Sequence, residues 1–268
     1  MNNNKIGMFD SGIGGLTVLK ELRKMLPNED YIYYADSKNN PYGEKSDKEL
    51  MSIVTGIVDY LISKNVKIIV IACNTATTRC IKRLRKMYPE MIFVGTEPAI
   101  KVACDKNFKN TLVMATPGTV KSERIHELVT QNKRKDQKII LLSCKGLADA
   151  IESHDKNRID SVLHDLLDEY KDKDIDSIVL GCTHYPHAKR NIKEIIPNAK
   201  LIDGNKGVSK QVKRQLESHN LLSDRTKYGK VKMIYNKWKQ RLDFSAFFSS
   251  LVLSYLLILL NHWILLEC

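Results

Sequence analysis

The sequence predicts an α/β protein built as two pseudo-symmetric α/β domains with mostly parallel sheets and an active site in the cleft between them. Three observations lead there. Short apolar runs alternate with amphipathic segments along most of the chain. One strand and its following loop recur: Ile68 to Thr75 resembles Ser177 to His184 at an offset of 109 residues. The length of 268 residues is enough for two cores.

The elements follow in order. Lys5–Phe9, Tyr31–Ala35, Ile68–Ala72, Ile92–Gly95, Thr111–Ala115, Ile139–Leu142, Ile175–Gly181 and Ala199–Ile202 are continuous apolar runs of strand length. Strands buried on both faces read this way, which is the mark of a parallel sheet covered by helices. Between them, Leu16–Leu26, Asp47–Ser63, Ala76–Met87, Val120–Gln131 and Arg158–Tyr170 carry helical spacing. Ile6 to Gly12 also pairs loosely with Leu112 to Gly118, so two elements repeat. Ligands of open parallel sheets bind outside the carboxyl ends of the strands. The residues directly after each strand are therefore the candidates for chemistry.

Composition excludes several classes. Hydrophobic residues make up 43% and charged residues 28%, so the chain is neither wholly disordered nor a polytopic membrane protein. The net charge of +12 suggests an anionic partner until its distribution is inspected. Residues 206–241 hold eleven Lys and Arg against two acids, a net +9, whereas residues 1–205 carry only +5. The excess is one segment, read as a solvated helical face, and few aromatics interleave with it. No nucleic-acid partner is expected, although a basic nucleic-acid-binding protein is the competing reading from another class. Six cysteines with no C-x-x-C pair and no secretory leader point to reduced thiols in a cytoplasmic protein.

Two cysteines stand where filler would be odd. Cys73 and Cys182 occupy corresponding positions after the repeated strand. On opposite walls of one cleft, two like acid/base groups suit inversion at a carbon: one removes a proton from one face and the other returns a proton to the opposite face. A free thiol is mostly protonated at neutral pH, so each needs a partner. Asp10 closes the first strand, His184 lies two residues after Cys182, and Glu152 follows the segment 146–151. Asp10 alone reads equally as a helix cap and His184 as a loop hydrogen-bonder. Cys182, His184 and His187 make a poor metal site for want of a fourth ligand. Ser11-Gly12-Ile13-Gly14-Gly15 has part of a nucleotide-loop pattern, with Asp36 near a ribose-binding position, but Thr17 stands where the third glycine belongs. Its backbone N–H groups suit a carboxylate better. Pro41-Tyr42-Gly43 reads as a tight loop or a plain surface turn. No lysine stands in a recognisable pyridoxal-phosphate context.

At these residues the sequence resembles the glutamate racemases of the aspartate/glutamate racemase superfamily. The matching stretches are Phe9 to Gly15, Pro41-Tyr42-Gly43, Ala72 to Ala76, Glu97-Pro98-Ala99, Thr116 to Thr119 and Gly181 to Pro186, in family order across residues 5–205. The resemblance implies interconversion of L- and D-glutamate without a cofactor, supplying D-glutamate for peptidoglycan. It implies Cys73 and Cys182 as the acid/base thiols, with Cys182 taking the proton of L-glutamate, assisted by Asp10, His184 and Glu152. It places Ser11, Tyr42, Gly43, Asn74, Thr75, Thr116, Thr119 and Thr183 around the bound amino acid, together with Asp10 and His184. It further implies a homodimer, a first domain of residues 1–97 completed by 207–241, and a second of residues 98–206. Aspartate racemase is the nearest rival.

The resemblance thins after Asp203, where Gly204 follows. Lys230–Tyr235 resembles the family's last strand. Residues 242–268 then form an atypical apolar tail in place of a closing helix, and Phe244 to Leu266 reaches membrane-spanning length. The abruptness favours a shifted reading frame or a fused neighbouring segment over a membrane anchor or a buried apolar helix.

Overall fold

A computed structural model describes residues 4–236 and the strand Ile264–Leu266. In chain order the elements are β1 (Lys5–Asp10), α1 (Leu16–Met25), β2 (Tyr31–Ala35), α2 (Asp47–Ser63), β3 (Val66–Ile71), α3 (Asn74–Met87), β4 (Phe93–Gly95), α4 (Ile100–Asp105), β5 (Asn110–Ala115), α5 (Pro117–Val120), α6 (Glu123–Asn132), β6 (Lys138–Ser143), α7 (Leu147–Glu152), α8 (Lys156–Leu167), β7 (Ser177–Leu180), α9 (Lys189–Ile195), β8 (Lys200–Ile202), α10 (Asn205–Ser218), β9 (Val231–Tyr235) and β10 (Ile264–Leu266). Short 3-10 turns follow β2, α8 and β7.

The strands form two all-parallel sheets, ordered β10-β9-β2-β1-β3-β4 and β6-β5-β7-β8. The run 2-1-3-4 in the first sheet has the same order as 6-5-7-8 in the second, so β1 corresponds to β5 and β3 to β7. These are the two pairs of segments whose sequences repeat. Helices cover both faces of each sheet. In the first, α1 and α10 bury Val18, Leu19, Leu22, Val208, Val212 and Leu216 on one face, and α2 and α3 bury Leu50, Val54, Val58, Leu61 and Leu84 on the other. In the second, α7, α8 and α9 cover one face, while α4 and α6 cover the other. The burial of both faces is why the central strands read as unbroken apolar runs.

Local chemistry accounts for the boundaries. Ser46 caps α2 by accepting from the Glu49 N–H, and Asp155 caps α8 by accepting from the Arg158 N–H. The helix expected over residues 120–131 is two helices. Ser122 is extended and interrupts the chain after Val120, and α6 restarts at Glu123. The sequence reading also passed over α4, α9 and α10. In α10, Val208, Val212 and Leu216 face inward while Lys206, Lys210 and Arg214 are exposed at the same four-residue spacing. Four of the eleven basic residues of the segment therefore lie on one amphipathic helix, three of them exposed.

Among the described residues no helix is long and apolar enough to cross a membrane. Residues 237–263 and 267–268, on which the readings of the apolar tail chiefly fall, lie outside the described residues. The backbone of Ile264–Leu266 pairs with β9 as a parallel edge strand.

Candidate active site

The carboxyl ends of the strands converge where the two sheets face each other. Asp10 ends β1, Cys73 follows β3, Thr116 follows β5, and Cys182, Thr183 and His184 follow β7. Glu152 is the last residue of α7, and Ser37 opens the turn after β2. Ser11, Tyr42, Cys73, Asn74, Thr75, Thr116, Thr119, Cys182, Thr183, His184 and Asp10 are all buried.

At the site, three sets of bonds join the halves. Thr183 Oγ1 donates to the Asp10 carboxylate at 3.3 Å from each oxygen. Thr75 Oγ1 lies 2.8 Å from Thr116 Oγ1 and 3.3 Å from Thr119 Oγ1. Glu152 Oε2 accepts from the Ile13 N–H at 3.0 Å, and its Oε1 accepts from Ser37 Oγ at 2.9 Å. The Ser11–Gly15 loop runs so close to the second half that a Cβ on Gly14 would lie 2.6 Å from His184 Nδ1. One on Gly12 would lie 2.4 Å from a Glu152 oxygen. Glycine at these positions permits a contact that any side chain would block.

The thiols have different partners. Cys182 Sγ is 3.7 Å from His184 Nδ1, and His184 Nε2 is 2.7 Å from Glu152 Oε2. Burial favours neutral histidine. Hydrogen bonds to Cys182 and Glu152 and the charges of Cys182 and Asp10 outweigh it, lifting His184 well above its ordinary pKa. Burial also works to raise Glu152, but its bonds to His184, the Ile13 N–H and Ser37 hold it below the ordinary carboxylate value. An ionised Glu152 only accepts, so Nε2 carries a proton and Nδ1 is the nitrogen that faces the Cys182 thiol.

Cys73 stands at the N-terminus of α3. Burial pushes its thiol well above the ordinary value, the negative charges of Asp10 and Cys182 add to this, and the Ala76 N–H and Ser11 oppose it. Burial raises Asp10 to about 6, against the pull of His184 and the Gly15 N–H, which donates to Oδ2 at 2.7 Å. Asp10 thus holds the Gly15 N–H at the start of α1, and its charge acts on Cys73.

The linkage of Asp10 has a definite sign. Its folded pKa lies above the ordinary 3.8, so folding favours the protonated form. That stabilisation is full below about pH 4 and is lost as pH rises through about 6. Asp10→Asn keeps an acceptor for Gly15 and cannot ionise. It is expected to be more stable than the natural protein near pH 7, on the order of 2 kcal/mol, with the difference vanishing towards pH 4. Thermal melts of both proteins across this range check it.

Two alternatives that the sequence raises are set aside. Pro41-Tyr42-Gly43 is no plain surface turn: Tyr42 is buried and its hydroxyl donates to Asp36 Oδ2. Asp36 does not await a ribose, because Tyr42, Asn39 and Asn236 all donate to its carboxylate. Arg79 of α3 clasps the same turn through the carbonyls of Tyr42 and Lys45. Ser37, Asp36 and Arg79 are absent from the candidate set read from the sequence. Ser37 and Asp36 follow a strand end, the signal that picked out the others, while Arg79 in mid-helix carries no such mark. Among the described residues no group of three or more His, Cys, Asp or Glu is arranged for a metal ion. The nitrogens of His184 face Cys182 and Glu152. His187 is pushed down to about 4 by burial and by the charges of His184 and His154.

Two matched parallel sheets that gather buried thiols, carboxyls and an imidazole at facing strand ends define an α/β isomerase. The chain belongs to the Asp/Glu/Hydantoin racemase family, which it matches over residues 14–211. It is 40% identical over 237 residues to a glutamate racemase of Clostridium acetobutylicum, covering 87% of this chain and 92% of that one. The glutamate racemase of Francisella tularensis, solved in complex with D-glutamate, superposes with a TM-score of 0.78 at 30% identity, covering 92% of each chain. A glutamate racemase isoform from Bacillus anthracis gives 0.82 at 26% identity, covering 100% of this chain and 98% of that one.

Proposed function

We propose that the chain interconverts L- and D-glutamate without a cofactor, using Cys73 and Cys182 as paired acid/base groups. The observation that carries this is their equivalence. Each thiol follows the same strand of one of two like-ordered sheets, and their mutual charge contributes to the raised pKa of Cys73. Cys182 as thiolate, its proton held by His184, takes the α-proton of L-glutamate. The Cys73 thiol delivers a proton to the opposite face, and the roles reverse for D-glutamate. No net proton is gained or lost: one thiol ends protonated and the other ends as thiolate. Asp10 serves Cys73 as the His184–Glu152 pair serves Cys182.

The negative charge that develops on the substrate carboxylate is met by the N–H groups of the α3 N-terminus at Asn74 and Thr75, the Ile13 and Gly15 N–H groups of the glycine loop being committed to Glu152 and Asp10. Ser11 and Thr183 lie beside the reacting thiols, and Thr75, Thr116 and Thr119 supply hydroxyl donors. The hydroxyl of Tyr42 is committed to Asp36, so Tyr42 and Gly43 offer the substrate their backbone. A cavity of about 20 Å3 lies beside Gly43 and Thr116, room for about one water. The reading extends to domains of residues 1–97 with 207–241 and 98–206, a cytoplasmic homodimer, and D-glutamate delivered to peptidoglycan synthesis.

The test is circular dichroism of L-glutamate incubated with the purified chain and no added cofactor. The signal should decay to zero, D-glutamate should do the same, and L-aspartate should persist. A folded protein that leaves both glutamate signals intact overturns the reading, and decay of aspartate alone would assign the rival substrate.

A further inference from the structure

We infer that Ser37 is a positioning residue for the Cys182 half of the reaction, acting through Glu152 and His184 without touching substrate. The inference rests on the two-thiol reading above and adds a residue to it. A chain of contacts runs from the first half to the thiol of the second: Ser37 Oγ to Glu152 Oε1 at 2.9 Å, Glu152 Oε2 to His184 Nε2 at 2.7 Å, and His184 Nδ1 to Cys182 Sγ at 3.7 Å.

The geometry distributes the donors unequally. Oε2 accepts both the Ile13 N–H and the imidazole, whereas the side-chain donor at Oε1 is Ser37. The Glu152 side chain is 10% exposed, so little water is at hand to replace a lost donor. Removing the Ser37 hydroxyl leaves a buried, ionised oxygen underbonded. The carboxylate must then rotate off the Ile13–His184 axis or bind a proton, and either loosens its hold on the imidazolium. The groups facing His184 are Cys182, Asp10, Glu152 and His187, and only Glu152 is bonded to Ser37. The surroundings of Cys73 are Asp10, Cys182, Ser11 and the Ala76 N–H, none of which is hydrogen-bonded to Ser37 or Glu152. The effect is therefore one-sided.

Mirror-image substrates are equal in energy, so kcat/KM must fall equally in both directions whichever thiol is impaired. The side is revealed by isotope effects and by the imidazole itself. In 15N-labelled protein without substrate, His184 is expected to lose its proton at lower pH in Ser37→Ala than in the natural protein, and Ser37→Thr should restore it. With glutamate, kcat of Ser37→Ala should fall about tenfold while KM stays within about twofold. The α-deuterium isotope effect should grow for the enantiomer whose proton Cys182 removes and stay level for the other. Far-ultraviolet circular dichroism establishes that the variants are folded.

An unchanged His184 titration in Ser37→Ala overturns the inference, as does an isotope effect that grows equally for both enantiomers. If the natural chain does not racemise glutamate, the functional reading falls by itself and the imidazole titration still decides the role of Ser37.

Discussion

Cys73→Ser and Cys182→Ser should each abolish racemisation, by at least about a thousandfold in kcat. Serine preserves the size of the side chain, and both sites are buried, so the fold should be retained. What is lost is acidity. A hydroxyl is a far weaker acid than a thiol, and it can neither hold a stable anion beside His184 nor yield its proton to a carbanion on the time of turnover. Burial and the charge of Asp10 already push Cys73 upward, so the weaker acid at that position has no environment to rescue it. The two variants should nonetheless differ. Cys73→Ser keeps the Cys182–His184–Glu152 chain, and should still remove the proton of one enantiomer of a glutamate analogue that carries a leaving group. Cys182→Ser should do so with the opposite enantiomer. Polarimetric assays of racemisation, alongside elimination assays on each enantiomer, check both statements. Racemisation by either variant at the natural rate would sink the two-thiol mechanism.

The asymmetry of the thiols was only partly legible in the sequence. The repeat of Ile68 to Thr75 in Ser177 to His184 marks Cys73 and Cys182 as equivalents because both follow a central strand. The structure explains why the repeat is visible there: β3 and β7 occupy the same place in like-ordered sheets and are buried on both faces, which favours apolar residues along them. His184 stands two residues from its thiol and was found by proximity. Glu152 lies at a helix end far from the strand signature, and the residues themselves suggested it only weakly. The links that join the halves are the least legible part. Ser37 pairs with Glu152 across 115 positions, and Thr183 pairs with Asp10 across 173. Such contacts depend on how two separately folded sheets meet, which no local periodicity encodes. The same limit applies to Arg79, whose guanidinium secures the Tyr42–Lys45 turn from a helix surface where arginine is ordinary.

At the opposite ends of the first sheet's strands, a second large effect is expected. Lys67 and Glu29 form an ion pair of 2.6 Å with side chains 1% and 2% exposed. The pair is also a fastener. Lys67 Nζ donates to the Leu221 carbonyl at 2.6 Å, and Glu29 Oε1 accepts from the Ser223 N–H at 2.7 Å. Together they hold the connection between α10 and β9 against the sheet. Lys67→Met removes one charge and leaves the other buried without a counterion, a loss of about 3–5 kcal/mol. For a protein of this size that corresponds to a fall of roughly 10 °C in melting temperature. Replacing both partners, as Lys67→Met with Glu29→Leu, removes the stranded charge and should recover more than half of the loss, although the Ser223 N–H and Leu221 carbonyl then need other partners. Because the fastener lies at the amino ends of the strands and the thiols follow their carboxyl ends, kcat at low temperature should stay within about twofold in both variants. Denaturation of the two single variants and the double variant, with assays at a temperature where all are folded, separates stability from chemistry. A single variant as stable as the natural protein would show that water reaches this pair, and equal losses in the single and double variants would show that the connection, rather than the stranded charge, carries the energy.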